Sequence, residues 1–206
     1  GNCEYAEQGL NCDGYQITGN YLLSDSLFID YLQQIDSELI INDSLNIDLA
    51  NTIDNIDLHG NFENIDGVQY FTNLSYLEIH DNDNLTSLPD LSGLTNLNVL
   101  YIENNDNLIS LDLSGLTNLS SLEIHDNDNL TSLTDLSELT NLEYILIFFN
   151  NSLTSISGLS ELTNLIALFI VNNSKLTNIP DLSGLTNLVD LVLFGDSLEC
   201  VGGYPE

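Results

Sequence analysis

Cationic side chains are nearly absent from this 206-residue chain: Lys175 stands alone against 32 aspartates and glutamates, and the net charge is −31. Nucleic acids and anionic membrane surfaces are held by cationic contacts, so neither suits this field as a partner. The same lack leaves almost nothing to stabilise an anionic transition state. No Gly-x-Ser-x-Gly, His-Glu-x-x-His or phosphate-cradling glycine loop is present either, and the chain reads as non-enzymatic. No stretch approaches the about 20 consecutive apolar residues of a membrane span. Cysteine is scarce, at 3, 12 and 200. Cys3 and Cys12 are close enough to close a short disulfide loop, which suits an exported protein. Cys200 is left over, as a buried thiol or with a partner elsewhere. Gly1 is expected to follow a processing or cloning junction.

The natural counterparts of such acidity are cationic peptides, basic protein patches and divalent cations. The alternative is a solubility adaptation to a salty medium, where screening shrinks the self-repulsion.

What is abundant is leucine, and it recurs on a beat. A Thr-Asn-Leu tripeptide places leucines at 74, 97, 119, 142, 165 and 188, in steps of 23, 22, 23, 23 and 23 residues. A fixed period of this size marks a stacked leucine-rich repeat, in which each coil buries its leucines against its neighbours. The pattern is L-x-x-L-x-I-x-x-N-x-x-L-x-x-[LI] from Leu74 onward. Its first six residues predict a short strand with alternating burial. Its ninth position reads Asn61, Asn82, Asn105, Asn127, Asn150, Asn173 and Asp196. A buried amide there bonds the backbone of adjacent coils where the chain turns out of the strand.

Three regions follow in order. Residues 1–52 form an N-terminal cap with the Cys3/Cys12 loop. Its amphipathic helix spans 24–35, with Ser24 as N-cap and Phe28, Tyr31, Leu32 and Ile35 on the face that covers the first coil. A β-rich transition occupies 38–52. Residues 53–198 hold about seven repeats of period 21–23, the first irregular. Residues 199–206 are the remnant of a C-terminal cap: either the natural protein continues, or Cys200 and Tyr204 fold back over the last leucines.

The segment Asn64-Ile-Asp-Gly-Val-Gln-Tyr-Phe-Thr-Asn-Leu74 and the repeats from about Ile53 to Leu198 resemble the internalin-like leucine-rich repeats of bacterial surface proteins. The lead-in Leu23-Ser-Asp-Ser-Leu-Phe-Ile-Asp-Tyr-Leu32 is similar to that of secreted repeat proteins of marine Bacteroidetes. The resemblance implies an α/β solenoid. Its leucine-rich-repeat arc carries a parallel β-sheet on the concave face, a short 3-10 or irregular convex side and an N-terminal helical cap. It also implies a secreted or cell-surface location, and binding rather than catalysis. Most repeats carry one more residue between the asparagine and the next leucine than the common spacing of that family; Asp196-Ser-Leu198 keeps the shorter form.

Side chains alternate along a strand, so the third, fifth and seventh positions of each repeat face the concave surface. The third reads Asn55, Tyr76, Val99, Ser121, Tyr144, Ala167, Asp190; the fifth Asp57, Glu78, Tyr101, Glu123, Leu146, Phe169, Val192; the seventh His59, His80, Glu103, His125, Phe148, Val171, Phe194. The face is acidic and histidine-bearing in its first half and apolar in its second.

Two kinds of site follow. Tyr144, Leu146, Phe148, Phe149, Phe169, Val171, Val192 and Phe194, flanked by Ala167 and Val189, make an apolar cluster of the size that marks interfaces. With Tyr101, Glu78 and Glu123 they are the expected partner-binding residues. The occupant is a protein or peptide, a cationic one suiting the acidic half; a second copy of the chain or its own C-terminal extension are the alternatives. His80, Glu103 and His125 are a candidate Zn²⁺ set, with His59 on the next rung; carboxylate-paired surface histidines are the alternative. The loop acids Asp81, Asp83, Asp106, Asp126 and Asp128 are a candidate for Ca²⁺, against a plain solvated acidic edge. No other cofactor is expected. A rank of threonines from Thr72 to Thr186 is expected to cap backbone groups ahead of each strand.

Overall fold

The computed structural model describes residues 20–195 and 200–201. The Cys3–Cys12 loop, Asp196, Leu198 and Tyr204, and the pairing of Cys200, lie outside those residues.

Four elements open the chain: β1 (Asn20–Leu22), α1 (Ser26–Ile35), β2 (Ile40–Ile41) and β3 (Ser44–Asn46), followed by the one-turn α2 (Ile47–Ala50). The three short strands pair antiparallel in the order β1-β3-β2. Asp25, not Ser24, caps α1: its Oδ1 accepts from the Leu27 and Phe28 amides at 2.8 and 3.1 Å. A carboxylate there satisfies two of the orphan donors of the first turn. Its second oxygen accepts from the Glu63 and Asn64 amides at 2.7 and 3.1 Å, so one side chain also ties the cap to the first coil. Phe28 and Leu32 are buried as expected, but Ile35 is exposed, since the helix ends there.

The repeats supply seven parallel strands to one sheet: β4 (Asn55–Leu58), β5 (Tyr76–His80), β6 (Val99–Glu103), β8 (Ser121–His125), β10 (Tyr144–Phe148), β11 (Ala167–Val171) and β13 (Asp190–Phe194). On the opposite, convex side are the two-residue strands β7 (Ser110–Leu111), β9 (Ser132–Leu133), β12 (Asn178–Ile179) and β14 (Cys200–Val201), and 3-10 turns at Val68–Tyr70 and Leu159–Glu161. Pairs β7–β9 and β12–β14 are parallel too. This is the leucine-rich-repeat solenoid that the period predicts.

The core is a column of leucines. In the coil that starts at Leu74, Leu74, Leu77, Ile79, Leu85, Leu91 and Leu94 are all buried, and later coils repeat the set. In the last strand Leu191 and Leu193 are half-buried, with no further described strand beyond them.

Buried asparagines weld the coils. The Asn82, Asn105, Asn127 and Asn150 amides each donate to Oδ1 of the next asparagine at 3.0–3.2 Å. Each Nδ2 donates back to the preceding coil, for example Asn127 to the Ile102 carbonyl at 3.1 Å. Asn61 does not join them. The first coil carries an extra residue, Gly60, at φ +152, where a Cβ would lie 2.7 Å from the Phe62 ring. That shift moves Asn61 outward and puts Phe62 in the ladder position, where its amide donates to Asn82 Oδ1 at 3.2 Å. An apolar residue fits there because the cap covers it: Phe62 packs edge-on against Phe28 and Tyr31, with ring centroids 5.5 and 5.6 Å away.

A second, exposed ladder belongs to the asparagine of Thr-Asn-Leu. Asn96, Asn118, Asn141, Asn164 and Asn187 each donate Nδ2 to the threonine carbonyl one coil back, at 2.7–2.9 Å. The bridging donors are therefore these amides; the threonines supply their carbonyls.

Candidate functional site

The strand register places the columns on the open face side by side. Asp57, Glu78, Tyr101, Glu123, Leu146, Phe169 and Val192 are consecutive partners across the sheet, and His80, Glu103, His125, Phe148, Val171 and Phe194 form the next row. Parallel neighbours stand about 4.8 Å apart, so the change from acid to apolar is a boundary in space, between β8 and β10.

On the acidic half the side chains bond one another. Tyr76 donates its hydroxyl to Glu78 Oε2 at 2.6 Å, and this bond, with burial and nearby carboxylates, pushes its pKa up to about 12. Tyr101 is bonded likewise to Glu123, which together with burial raises its pKa further. Tyr31, reaching in from α1, donates to the Asp57 carbonyl; burial and the Asp57 charge push it up to about 12. These phenols stay protonated; Tyr76 and Tyr101 donate to carboxylates and Tyr31 to a backbone carbonyl.

The three histidines part company. His80 Nε2 lies 2.9 Å from Asp57 Oδ1 and its Nδ1 3.0 Å from Asp81 Oδ2. Burial lowers its pKa, but the Asp81 hydrogen bond and the charges of Asp57, Asp81 and Glu78 outweigh that, and the net shift is upward. The same bond, with one from Asn104, holds the Asp81 carboxyl below its usual range. His59 Nδ1 also approaches Asp57 Oδ1, at 3.1 Å, and its ring stacks on His80 with centroids 5.0 Å apart. His125 turns the other way, between Tyr101 (5.5 Å) and Phe148 (4.7 Å). Its Nε2 makes no hydrogen bond, the Glu123 carboxylate being 3.7 Å away.

Metal-ligand geometry therefore gathers around Asp57, His59 and His80, whose coordinating atoms all lie within 4.8 Å of one another. His80, Glu103 and His125 sit on adjacent strands, but their side chains diverge. The loop acids are engaged by neighbouring coils: Asp81 accepts from Asn104 at 3.2 Å, Asp128 from Asn151 at 2.9 Å, and Asp106 from the Asp128 amide at 3.5 Å. No three of them form a convergent group among the described residues.

The apolar half is open. Tyr144, Phe149, Val189, Val192 and Phe194 are exposed, Val189 at 77% and Phe194 at 68%; Leu146, Phe148, Phe169 and Val171 are half-buried. Ala167 is buried at 4%, its short side chain lying between Tyr144 and Asp190 in the register. At Cys200–Val201 the chain runs along the convex side beside Asn178–Ile179.

Phe149 stands out in its backbone. The turn after each strand passes through the left-handed region, at Asn61, Asp81, Asn104, Asp126, Phe149, Asn172 and Gly195. Asparagine, aspartate and glycine tolerate that region; a bulky side chain does not. Phe149 holds φ 56 with 44% of its surface exposed. The turn column held the signal, since the ring replaces Asp or Asn at one repeat only.

Among the described residues no helix is long and apolar enough to cross a membrane. No protein-family profile matches the chain, and no curated protein sequence does. Similar solved structures include internalin C2 of Listeria monocytogenes, 23% identical, covering 89% of this chain and 92% of that one with a TM-score of 0.50. InlP of Listeria monocytogenes is 20% identical over 88% of this chain and 67% of its own, with a TM-score of 0.44. A leucine-rich-repeat protein of Leptospira interrogans is 22% identical over 67% of this chain and 41% of its own, with a TM-score of 0.41. The likeness to internalin C2 is one of fold: both chains are leucine-rich-repeat solenoids.

Proposed function

We propose that the protein is an extracellular recognition module, secreted or displayed on a bacterial surface, that binds a protein partner through the open face of its sheet. The observation that carries this reading is Phe149. A large aromatic is held in a left-handed turn where other coils use Asn, Asp or Gly, and it directly follows Phe148, the β10 residue beside Val171 on the open face. Strained residues of this kind cluster at functional sites. Exposed aromatics grouped on a rigid sheet are the usual anchors of an interface.

The partner's chemistry follows from the other half of the face. A net charge of −31 and the row Asp57, Glu78, Glu123 favour a segment that is cationic at one end and apolar at the other. Attraction to the acidic coils speeds encounter, and ring burial on β10, β11 and β13 slows release. Binding, not catalysis, is the role such a face supports.

The test is affinity capture from cell-surface protein extracts with wild-type protein and the Phe148→Ser/Phe169→Ser double variant, both folded by urea melt. The reading requires capture of a basic protein by the wild type, weakened at least tenfold in the variant and reduced by salt. Capture indifferent to the substitutions overturns it. Concentration-dependent dimerisation lost in the variant would assign the face to a second copy instead.

A further inference from the structure

We infer that Asp57, His59 and His80 form a zinc site that fastens the first coil to the second, beside the N-terminal cap. Three electron-pair donors converge there: Asp57 Oδ1 lies 3.1 Å from His59 Nδ1 and 2.9 Å from His80 Nε2, and all three lie within 4.8 Å of one another. Metal–ligand bonds of about 2.0–2.1 Å at tetrahedral angles put ligand atoms about 3.3 Å apart. Both short edges reach that length with side-chain shifts of a few tenths of an ångström.

The ligands are placed by the strands. Asp57 is on β4 and His59 follows at its end, two residues on; His80 closes the neighbouring β5. Alternation puts all three on the open face. The extra residue Gly60, in a conformation that disfavours other residues, turns the chain immediately after His59, whose ring stacks over His80 at an interplanar angle of 22°.

Two further contacts resemble the supports of a built site. Asp81 Oδ2 lies 3.0 Å from His80 Nδ1. A carboxylate on the far nitrogen fixes the tautomer and aims the Nε2 lone pair at the ion, the usual second contact of a metal-bound histidine. In the neutral ring with that tautomer the Nε2 lone pair faces Asp57 Oδ1 at 2.9 Å, a gap that a proton fills in the metal-free protein and that zinc would fill in its place. Tyr31 of α1 packs edge-on against His59 with centroids 5.8 Å apart and donates to the Asp57 carbonyl. The cap helix thus braces two of the three ligands.

Two imidazoles and one carboxylate select zinc or a similar transition metal. Calcium and magnesium want oxygen ligands. His59 and Asp57 are about half-exposed, so a fourth position faces solvent and takes water. Glu103 and His125 take no part.

The experiment uses the whole chain, stripped with a chelator and desalted. Calorimetric titration with ZnCl₂ at pH 7.5 is expected to give one site per chain and an upward shift in melting temperature. His59→Gln and His80→Gln should each weaken that site at least tenfold, and Asp81→Asn, which loses only the second contact, by about 10–100-fold. Matching urea melts of the metal-free variants and wild type guard against misfolding. CaCl₂ should neither give heat at this site nor compete for it. Cobalt substituted for zinc should show the strong visible bands of a four-coordinate ion. The inference is overturned if ZnCl₂ gives no heat, or if its binding is unchanged in both histidine variants, which would assign it to the acidic surface at large.

Discussion

Replacing Asn127 by leucine separates the asparagine ladder from the leucine packing. The change keeps the branched heavy-atom shape, removes the hydrogen-bonding capacity, and adds some crowding, because two methyl groups are bulkier than an amide. Asn127 Oδ1 accepts from the Asn105 amide at 3.1 Å, and its Nδ2 donates to the Ile102 carbonyl at 3.1 Å, to the His125 carbonyl at 2.6 Å and to Asn150 Oδ1 at 3.2 Å. The His125 carbonyl keeps a second donor, the Asn104 amide at 3.2 Å. The Asn105 amide loses the acceptor that Asn127 gave it, and the Ile102 carbonyl, a mid-strand group of the parallel ladder, loses one donor, inside a fully buried layer. Orphaned buried groups cost about 1–3 kcal/mol each, and burial of the leucine returns part of that. The expected loss is about 2–5 kcal/mol, a large share of the roughly 5–15 kcal/mol of a typical domain. Asn118 is the control, since its Nδ2 makes one exposed bond, to the Thr95 carbonyl at 2.7 Å; Asn118→Ala should cost about 0.5–1 kcal/mol. Urea unfolding followed by circular dichroism reads both, provided the slopes agree. Equal midpoint shifts for the two variants would refute the assignment of the ladder as the weld between coils.

Three further outcomes follow from particular contacts. Asp25→Ala removes the cap of α1, worth about 1 kcal/mol, and the acceptor for two amides of the first coil; a total of about 2 kcal/mol is expected, with faster hydrogen exchange at Glu63 and Asn64. Phe149→Asn should leave stability within about 1 kcal/mol of wild type, because relief of the left-handed φ of 56 offsets the lost burial of a half-exposed ring, while partner binding falls; a large destabilisation would contradict the strain. Tyr76, pushed up to about 12 by its bond to Glu78, burial and nearby charge, retains a proton that the unfolded chain loses near pH 10. Its contribution is therefore present below that pH and is lost as pH rises toward 12. Glu78→Gln should lower the midpoint of the Tyr76 ring signal in an NMR titration, and an unmoved midpoint would discount the bond.

The solenoid was legible because burial by stacking demands strict periodicity: leucines at one beat, strands of alternating exposure, one buried amide per turn. The columns of the open face were legible for the same reason, since parallel register preserves position number from coil to coil. What escaped the sequence were departures of a single residue and directions of side chains. Gly60 shifts the first coil by one position and exchanges Asn61 for Phe62 in the ladder, which no count of leucines registers. Asp25 displaced Ser24 as the helix cap because its carboxylate serves two elements at once. His80 and His125 occupy equivalent slots in nearly duplicate repeats, yet one ring joins Asp57 and the other Phe148, because the neighbouring coils differ. Ala167 shares a row with exposed residues and is buried by its neighbours.

Recognition on the apolar half of the open face, as proposed, requires a partner to lie within reach of Phe169. Site-specific photocrosslinking tests it most directly, with a benzophenone side chain placed in turn at Phe169 and, as the comparison, at Glu103, in protein exposed to cell-surface extract. A discrete adduct is expected from position 169, one that unlabelled wild-type protein competes away and the Phe148→Ser/Phe149→Asn variant does not. Adducts of equal yield from both positions, or adducts that the variant competes equally well, would contradict it.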